Sequence, residues 1–244
     1  MEIKGTERID SLQRDNLNII QDPSDFCFGM DAVLLSAFTR LKDTDNVLDL
    51  CTGNGVIPLL LSARNKGVKE IKGLEIREKS ADLAKRSVEM NGLSERIGIV
   101  QADVKDAAKI FGASSFSAIT CNPPYMKKQS GLKNPDEWKN IARHEELITW
   151  KEIVSEVNKL LKEKGRFFFV HRPFRLPELI FDLKNEGLEP KRMRLVYPFI
   201  DKEPNMVLME AVKHGGEELK CEPPLIIYEE PGVYREEVRK LYDE

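Results

Sequence analysis

Residues Asn122-Pro123-Pro124-Tyr125 combine the groups needed to hold a planar amino nitrogen in line with an electrophilic methyl. The exocyclic amine of adenine is a weak nucleophile because its lone pair is delocalised into the ring. Reaction there calls for two acceptors on its N–H groups and strict alignment. An Asn side-chain oxygen and a neighbouring backbone carbonyl are two such acceptors. Consecutive prolines hold φ near about −65° and donate no N–H, so the carbonyls of Asn122 and Pro123 stay out of any strand ladder. Tyr125 offers a ring face to a base that has left its stack. Asn-Pro-Pro is also ordinary turn chemistry. Position separates the two readings. The tetrapeptide directly follows Phe116-Ser117-Ala118-Ile119-Thr120-Cys121, an apolar run expected to be a buried strand, and open α/β sheets bind ligands beyond the carboxyl ends of their strands.

Upstream elements point to a nucleoside-bearing partner for that nitrogen. Val47-Leu48-Asp49-Leu50-Cys51-Thr52-Gly53-Asn54-Gly55-Val56-Ile57-Pro58 reads as an apolar strand, an acidic residue, a glycine-bearing turn and the start of a helix. Glycines at such a turn let the backbone approach a ligand closely. The dinucleotide fingerprint needs a third glycine where this chain has Pro58, which disfavours a dehydrogenase. The next strand, from Glu70, ends in Gly73-Leu74-Glu75-Ile76. Glu75 thus stands about twenty residues after the glycines, where an acidic side chain can accept both hydroxyls of an adenosine ribose. A third strand, Ile97 to Gln101, is followed by Asp103.

This set resembles the class I S-adenosylmethionine-dependent methyltransferases, and the Asn-Pro-Pro-Tyr tetrapeptide narrows the resemblance to their amino-methylating branch. It covers most of the chain. By that resemblance Asp49, Gly53 and Gly55 border the methionine part of S-adenosyl-L-methionine, Glu75 its ribose, Ile76 one face of its adenine, and Asp103 the adenine amino group. Asn122, Pro123, Pro124 and Tyr125 then hold the target nitrogen. Cys51 is a departure, standing where many relatives carry a first glycine.

Two flanking stretches are similar to the bacterial tRNA1(Val) adenine-37 N6-methyltransferase family: Ile19-Ile20-Gln21-Asp22-Pro23 with Phe26-Cys27-Phe28-Gly29-Met30-Asp31-Ala32-Val33-Leu34-Leu35, and Ile141-Ala142-Arg143-His144-Glu145. Asp31 reads as the N-cap of a helix from Ala32 to Leu41, with a direct cofactor contact as the other reading. The mechanism implied is direct in-line transfer from sulfonium to adenine N6, with neither a covalent intermediate nor a metal. Asn122 and the Pro123 carbonyl orient the amine, and Tyr125 stacks on the flipped base. The same tetrapeptide also serves glutamine side-chain amides, and similar motifs serve guanine N2. Readings outside catalysis are a cofactor-binding RNA assembly factor that has lost activity and a plain nucleotide-binding domain.

Composition fits an enzyme with one main domain. The chain has 244 residues, 41% hydrophobic and 32% charged, enough to bury a large core. No run of about eighteen apolar residues occurs and the start is not a secretory signal, so a cytoplasmic protein with no membrane partner is expected. Cys27, Cys51, Cys121 and Cys221 lack CxxC spacing and are expected as reduced core residues, with no zinc site. The net charge of −3 does not advertise nucleic-acid binding. Local pattern restores it: between Lys162 and Arg194 nine Lys or Arg face five Asp or Glu, while the segment from Glu217 is acidic. Candidate RNA phosphate contacts are Lys127, Lys128, Lys133 and Arg143 in the loop after Tyr125, and Arg172 and Arg175 after the strand Arg166-Phe167-Phe168-Phe169-Val170. Phe167 to Phe169 themselves read as core.

Strands near 47–51, 70–75, 97–101, 116–121 and 166–170 alternate with helices near 56–65, 77–91 and 149–162, and the runs 193–199 and 205–213 read as a closing antiparallel hairpin. The fold expected is α/β, a doubly wound, Rossmann-like and mostly parallel seven-stranded sheet. Residues 1–30 are expected to form an N-terminal extension, 31–213 the methyltransferase domain, and 214–244 an acidic tail packed on it. A monomer or weak homodimer with tRNA as partner completes these expectations.

Overall fold

The computed structural model describes residues 3–24, 27–124 and 148–242. Seven strands form the body of one sheet: β3 (Asn46–Leu50), β4 (Glu70–Glu75), β5 (Ile97–Gln101), β6 (Phe116–Cys121), β7 (Leu161–His171), β8 (Leu188–Tyr197) and β9 (Met206–Lys213). Their spatial order is β8-β9-β7-β6-β3-β4-β5, and only β9 runs against its neighbours. Two short edge strands, β10 (Lys220–Cys221) and β11 (Leu225–Ile226), extend the sheet parallel to β8. The expected parallel sheet with its closing hairpin is therefore present, lengthened at one edge.

Alternation along each strand explains why both faces carry helices. Val47, Ala118, Phe168, Val170 and Leu208 belong to one core, with α1 (Met30–Phe38) and α2 (Val56–Arg64). Leu48, Leu50, Ile119, Cys121, Phe167, Phe169 and Met209 belong to the other, with α4 (Ala107–Phe111), α5 (Trp150–Leu160) and α6 (Leu176–Asn185). A sheet buried on both faces gives the near-continuous apolar runs seen in the sequence. Phe167, Phe168 and Phe169 are fully buried, in accord with their reading as core.

Local chemistry sets the helix ends. Thr149 and Glu152 form a reciprocal capping box at the start of α5. Between Phe116 and Ala118 the β6–β7 register slips, accommodating the bend at Lys164, whose φ is 60°. The helix α3 (Glu78–Met90) ends at Asn91-Gly92, with Gly92 left-handed at φ 66°. The helix α1 departs from expectation at both ends. Gly29 is its N-cap and Asp31 lies inside its first turn, where a negative charge suits the helix dipole. It stops at Phe38, where Thr39 turns to extended backbone at ψ 122° while its hydroxyl also donates to the Leu35 carbonyl. Cys221 is a second correction, exposed on the two-residue strand β10 and not in the core. The four cysteines are free.

The N-terminal hairpin of β1 (Arg8–Ser11) and β2 (Asn18–Gln21) lies along α3. Asn91 clamps it: its Oδ1 accepts from the Asn18 N–H at 2.9 Å, and its Nδ2 donates to the Asn18 carbonyl at 2.7 Å. Ser87 Oγ accepts from the Ile20 N–H, Arg86 pairs with Glu7 at 2.5 Å, and Lys79 pairs with Asp22 at 2.6 Å. Hydrogen bonds and charge from Arg86, Lys79 and their neighbours hold the Glu7 and Asp22 carboxyls below the usual range. At the other end of the chain, the rings of Tyr228, Tyr234 and Tyr242 stack in series, the last on α7 (Glu236–Tyr242). Among the described residues no helix is long and apolar enough to cross a membrane.

Replacing Asn91 by Ala removes two bonds to β2 and leaves half-buried backbone groups unpaired. A loss of about 1–3 kcal/mol is expected in urea unfolding of the Asn91→Ala variant. An unchanged midpoint would mean that the hairpin is not anchored through Asn91.

Candidate active site

Five parallel strands end on one edge of the sheet, in the order β5, β4, β3, β6, β7. Asp103, Glu75, the Asp49–Gly55 segment, Asn122 and Arg172 therefore follow one another along that edge. Chain order reverses between β3 and β6, the position where open α/β sheets form their ligand crevice. Leu50 and Cys121 are register partners across this point. The acceptor tripeptide and the glycine-bearing turn thus leave adjacent strands, about 4.8 Å apart by sheet geometry.

Asp49 is fully buried at this junction. Its Oδ1 accepts a 2.6 Å hydrogen bond from the hydroxyl of Thr120, itself fully buried on β6. Burial pushes its carboxyl up to about 7; hydrogen bonding from Thr120 and Thr52 opposes the rise and the charge of Glu75 adds to it. Asp49 Oδ2, Thr52 Oγ1 and Asn54 Nδ2 are buried without a well-formed hydrogen bond, although Thr52 and Asp49 attract one another. Buried polar atoms are ordinarily paired, so three such atoms within six residues mark a place built for polar groups of a ligand.

The turn takes a glycine-like path throughout. Cys51 sits at φ 57°, Gly53 at 57° and Gly55 at 84°. Cys51 thus adopts the conformation that a glycine would take there, at a cost of about 1–2 kcal/mol for an L-residue. A Cβ added at Gly53 would meet nothing within 4 Å, leaving open room beside the loop. At Gly55 it would lie 3.1 Å from the Ala84 Cβ, so that glycine also serves the packing of α2 on α3.

Glu75 is buried at the end of β4, where its Oε2 accepts from the Gly53 N–H at 2.8 Å and its Oε1 from the Arg77 N–H at 3.0 Å. The Arg77 side chain also pairs with Oε1, at 3.5 Å, so Oε2 keeps the freer acceptor position for a ribose hydroxyl. Beside it Ile76 is 40% exposed, an apolar surface suited to one face of an adenine ring. Asp103 follows β5, and its carboxylate accepts from the Lys105 N–H, capping a short 3₁₀ turn. Asp31 lies at the start of α1, and its charge reaches the phenol of Tyr242. This donor and acceptor set fits S-adenosyl-L-methionine: acid and orphaned polar atoms for its amino-acid part, Glu75 for its ribose, Ile76 for its base.

On the acceptor side, Asn122 and Pro124 are half-buried and Pro123 is buried. Tyr125, Lys127, Lys128, Lys133 and Arg143, together with the 141–145 stretch, lie outside the described residues. Arg172 and Arg175 stand at the carboxyl end of β7. Arg172 Nη1 donates to the Asn205 carbonyl at 2.7 Å, and Arg175 is in a two-bond pair with Glu178.

Sequence reasoning missed Thr120, Thr52, Asn54 and His171. Thr120 left a signal, a hydroxyl inside an otherwise apolar strand next to the strand of a buried acid. His171 is buried at the end of β7 against Trp150, and burial with the charges of Arg175 and Arg172 lowers its pKa to about 3. Its Nδ1 accepts from the Arg172 N–H, so the neutral ring carries its proton on Nε2. Cys51 and Cys121, at the ends of β3 and β6, have their thiols in contact; burial, and then Cys51, push the Cys121 thiol up.

Residues 28–183 match the family model of the methyltransferase small domain. A tRNA1(Val) (adenine(37)-N6)-methyltransferase of Porphyromonas gingivalis is 30% identical over 188 residues, which cover 75% of this chain and 72% of that protein. Proteins of the same name are 34% identical over 58% of each chain in Bacteroides thetaiotaomicron, and 28% identical over 87% and 88% in Dyadobacter fermentans. Among solved structures, a predicted O-methyltransferase of Agrobacterium tumefaciens superposes with a TM-score of 0.70 at 22% identity, over 87% of this chain and 95% of its own. Geranyl diphosphate C-methyltransferase of Streptomyces coelicolor, with S-adenosyl-L-homocysteine bound, gives 0.57 at 13%, over 75% and 78%. At these identities the structures establish the fold alone.

The raised pKa of Asp49 carries a signed consequence. Its folded value lies above the unfolded value near 3.8, so the folded protein holds the proton longer. Stability from this group is present below about pH 4 and lost as pH rises towards about 7, on the order of a few kcal/mol in all. Without ligand, Asp49→Asn is expected to flatten the fall in melting temperature between about pH 4 and about pH 7. Parallel profiles for variant and wild type would contradict a buried neutral acid.

Proposed function

This chain belongs to the methyltransferase small-domain family, and we propose that it transfers the methyl of S-adenosyl-L-methionine to the N6 amine of an adenine in tRNA. One observation carries the reading: Asn122-Pro123-Pro124 leaves β6 directly beside the strand that bears Asp49 and the glycine turn. Cofactor half and acceptor half are thus neighbours on one sheet edge. The names of the Porphyromonas and Bacteroides relatives support tRNA as substrate and adenine 37 of tRNA1(Val) as the position to test first. A tRNA substrate also assigns the work to the cytoplasm.

When bound, the cofactor supplies an electrophilic methyl on sulfur. Asp49, Thr52 and Asn54 would hold its amino-acid part, Glu75 its ribose and Ile76 its adenine. Asn122 Oδ1 and a motif carbonyl would accept from the two N–H groups of the target amine, so that its nitrogen lone pair points at the methyl. The same oxygens stabilise the positive charge that develops on nitrogen, and the proton leaves to solvent after transfer. The prolines keep these carbonyls fixed before the base arrives, so no reorganisation is needed at the moment of reaction. Tyr125 would stack on the flipped base.

Asn122→Ala separates catalysis from cofactor binding. With tRNA as substrate, its turnover is expected to fall by about 10²–10³-fold, while its calorimetric affinity for S-adenosyl-L-methionine stays within about two-fold of wild type. Near-normal turnover would refute the assigned role. Activity of the wild type on a protein glutamine or on guanine, in place of adenine, would replace the substrate.

A further inference from the structure

The β7–α6 connection carries an aromatic side chain that the fold does not use. Phe174 is 58% exposed, whereas Phe167, Phe168 and Phe169, a few residues earlier, are fully buried. It sits on the 3₁₀ turn Pro173–Arg175. The residues adjacent to it in sequence are tied down. The Arg172 N–H is bound to His171 Nδ1, its guanidinium to the start of β9 through the Asn205 carbonyl, and the Arg175 N–H to the Arg172 carbonyl. Arg175 is fixed by Glu178, and Pro173 restricts the backbone at the first position of the turn. The result is a rigid mount for an exposed ring, with Arg172 and Arg175 on either side of it in sequence.

The location selects the ligand. β7 is the neighbour of β6, with Cys121 and Phe169 in register, so Asn122–Pro124 and Arg172–Phe174 leave adjacent strand ends on the same edge. An exposed aromatic ring on a fixed turn is chemistry that single-stranded nucleic acid recognises, because bases stack on the ring face. Resting on the functional reading above, we propose that Phe174 is a stacking platform for an unpaired RNA base next to the target adenine. It fixes the strand on either side of the flipped nucleotide without reading base identity, because every base has a π face. Phe181, 65% exposed on α6 and five residues past the start of that helix, supplies an internal control.

Steady-state kinetics with unmodified tRNA from a host lacking this gene tests the platform on wild type, Phe174→Ala, Phe174→Trp and Phe181→Ala. All three substitutions are at exposed positions and leave the core intact. Phe174→Ala is expected to raise KM for tRNA about ten-fold, with kcat and KM for S-adenosyl-L-methionine within about two-fold. Phe174→Trp is expected to restore wild-type KM and to lose indole emission when a short single-stranded RNA is added, and Phe181→Ala to behave as wild type. An active wild type with Phe174→Ala unchanged overturns the platform alone. Equal losses in Phe174→Ala and Phe181→Ala overturn it in favour of an apolar docking face. A wild type that methylates no RNA overturns the functional reading and the platform together.

Discussion

A buried side-chain hydrogen bond reinforces the strand pair that carries both halves of the proposed site. Thr120 donates to Asp49 across the β6–β3 junction, at 2.6 Å and out of contact with water. One partner lies two residues before Asn122; the other lies two before Cys51, where the glycine-like turn begins. Any shift of β6 against β3 would break this bond and move Asn122–Pro124 relative to the glycine-bearing turn. Positioning on this scale matters, because in-line transfer depends on reacting atoms held within a few tenths of an ångström. The junction is also the topological switch point of the sheet, the position at which open α/β sheets bind their ligands.

The turn beyond Asp49 is costly in isolation and persists because its surroundings over-determine it. A left-handed Cys51, a buried acid pushed towards neutrality, and orphaned polar atoms at Thr52 and Asn54 all oppose folding. Against them stand apolar cores on both faces of the sheet and the second strand-end acid, Glu75, which grips the Gly53 N–H. Strain and unmet polarity brought together at a strand end are what a preorganised ligand site requires. A bound ammonium or hydroxyl would satisfy those atoms and favour the ionised form of Asp49.

Much of this was legible in the residues. The central strands β3, β6 and β7 are visible because burial on both faces makes each an apolar run, and α3 ends where capping chemistry places it, at Asn91-Gly92. Asp49, Glu75 and Asn122 could be placed on one edge because every parallel strand points its carboxyl end the same way. Other features depend on contacts between distant segments, which no local pattern reports. The start of α1 at Gly29 shifted Asp31 from cap to first turn, and the edge strand that exposes Cys221 is only two residues long. The Thr120–Asp49 bond spans 71 residues of sequence, and its partner strand was identifiable only once the register was known. Gly55 shows the limit of motif reading most clearly: its missing side chain makes room for Ala84 as well as for a turn.

Incubation of the pure protein with methyl-labelled S-adenosyl-L-methionine and total RNA from a host lacking this gene, followed by nucleoside analysis of each fraction, tests the central claim most directly. Label recovered as N6-methyladenosine in the tRNA fraction is the predicted result. Cofactor binding confirmed by calorimetry, with no label in RNA or with label in another nucleoside or in protein, would contradict it.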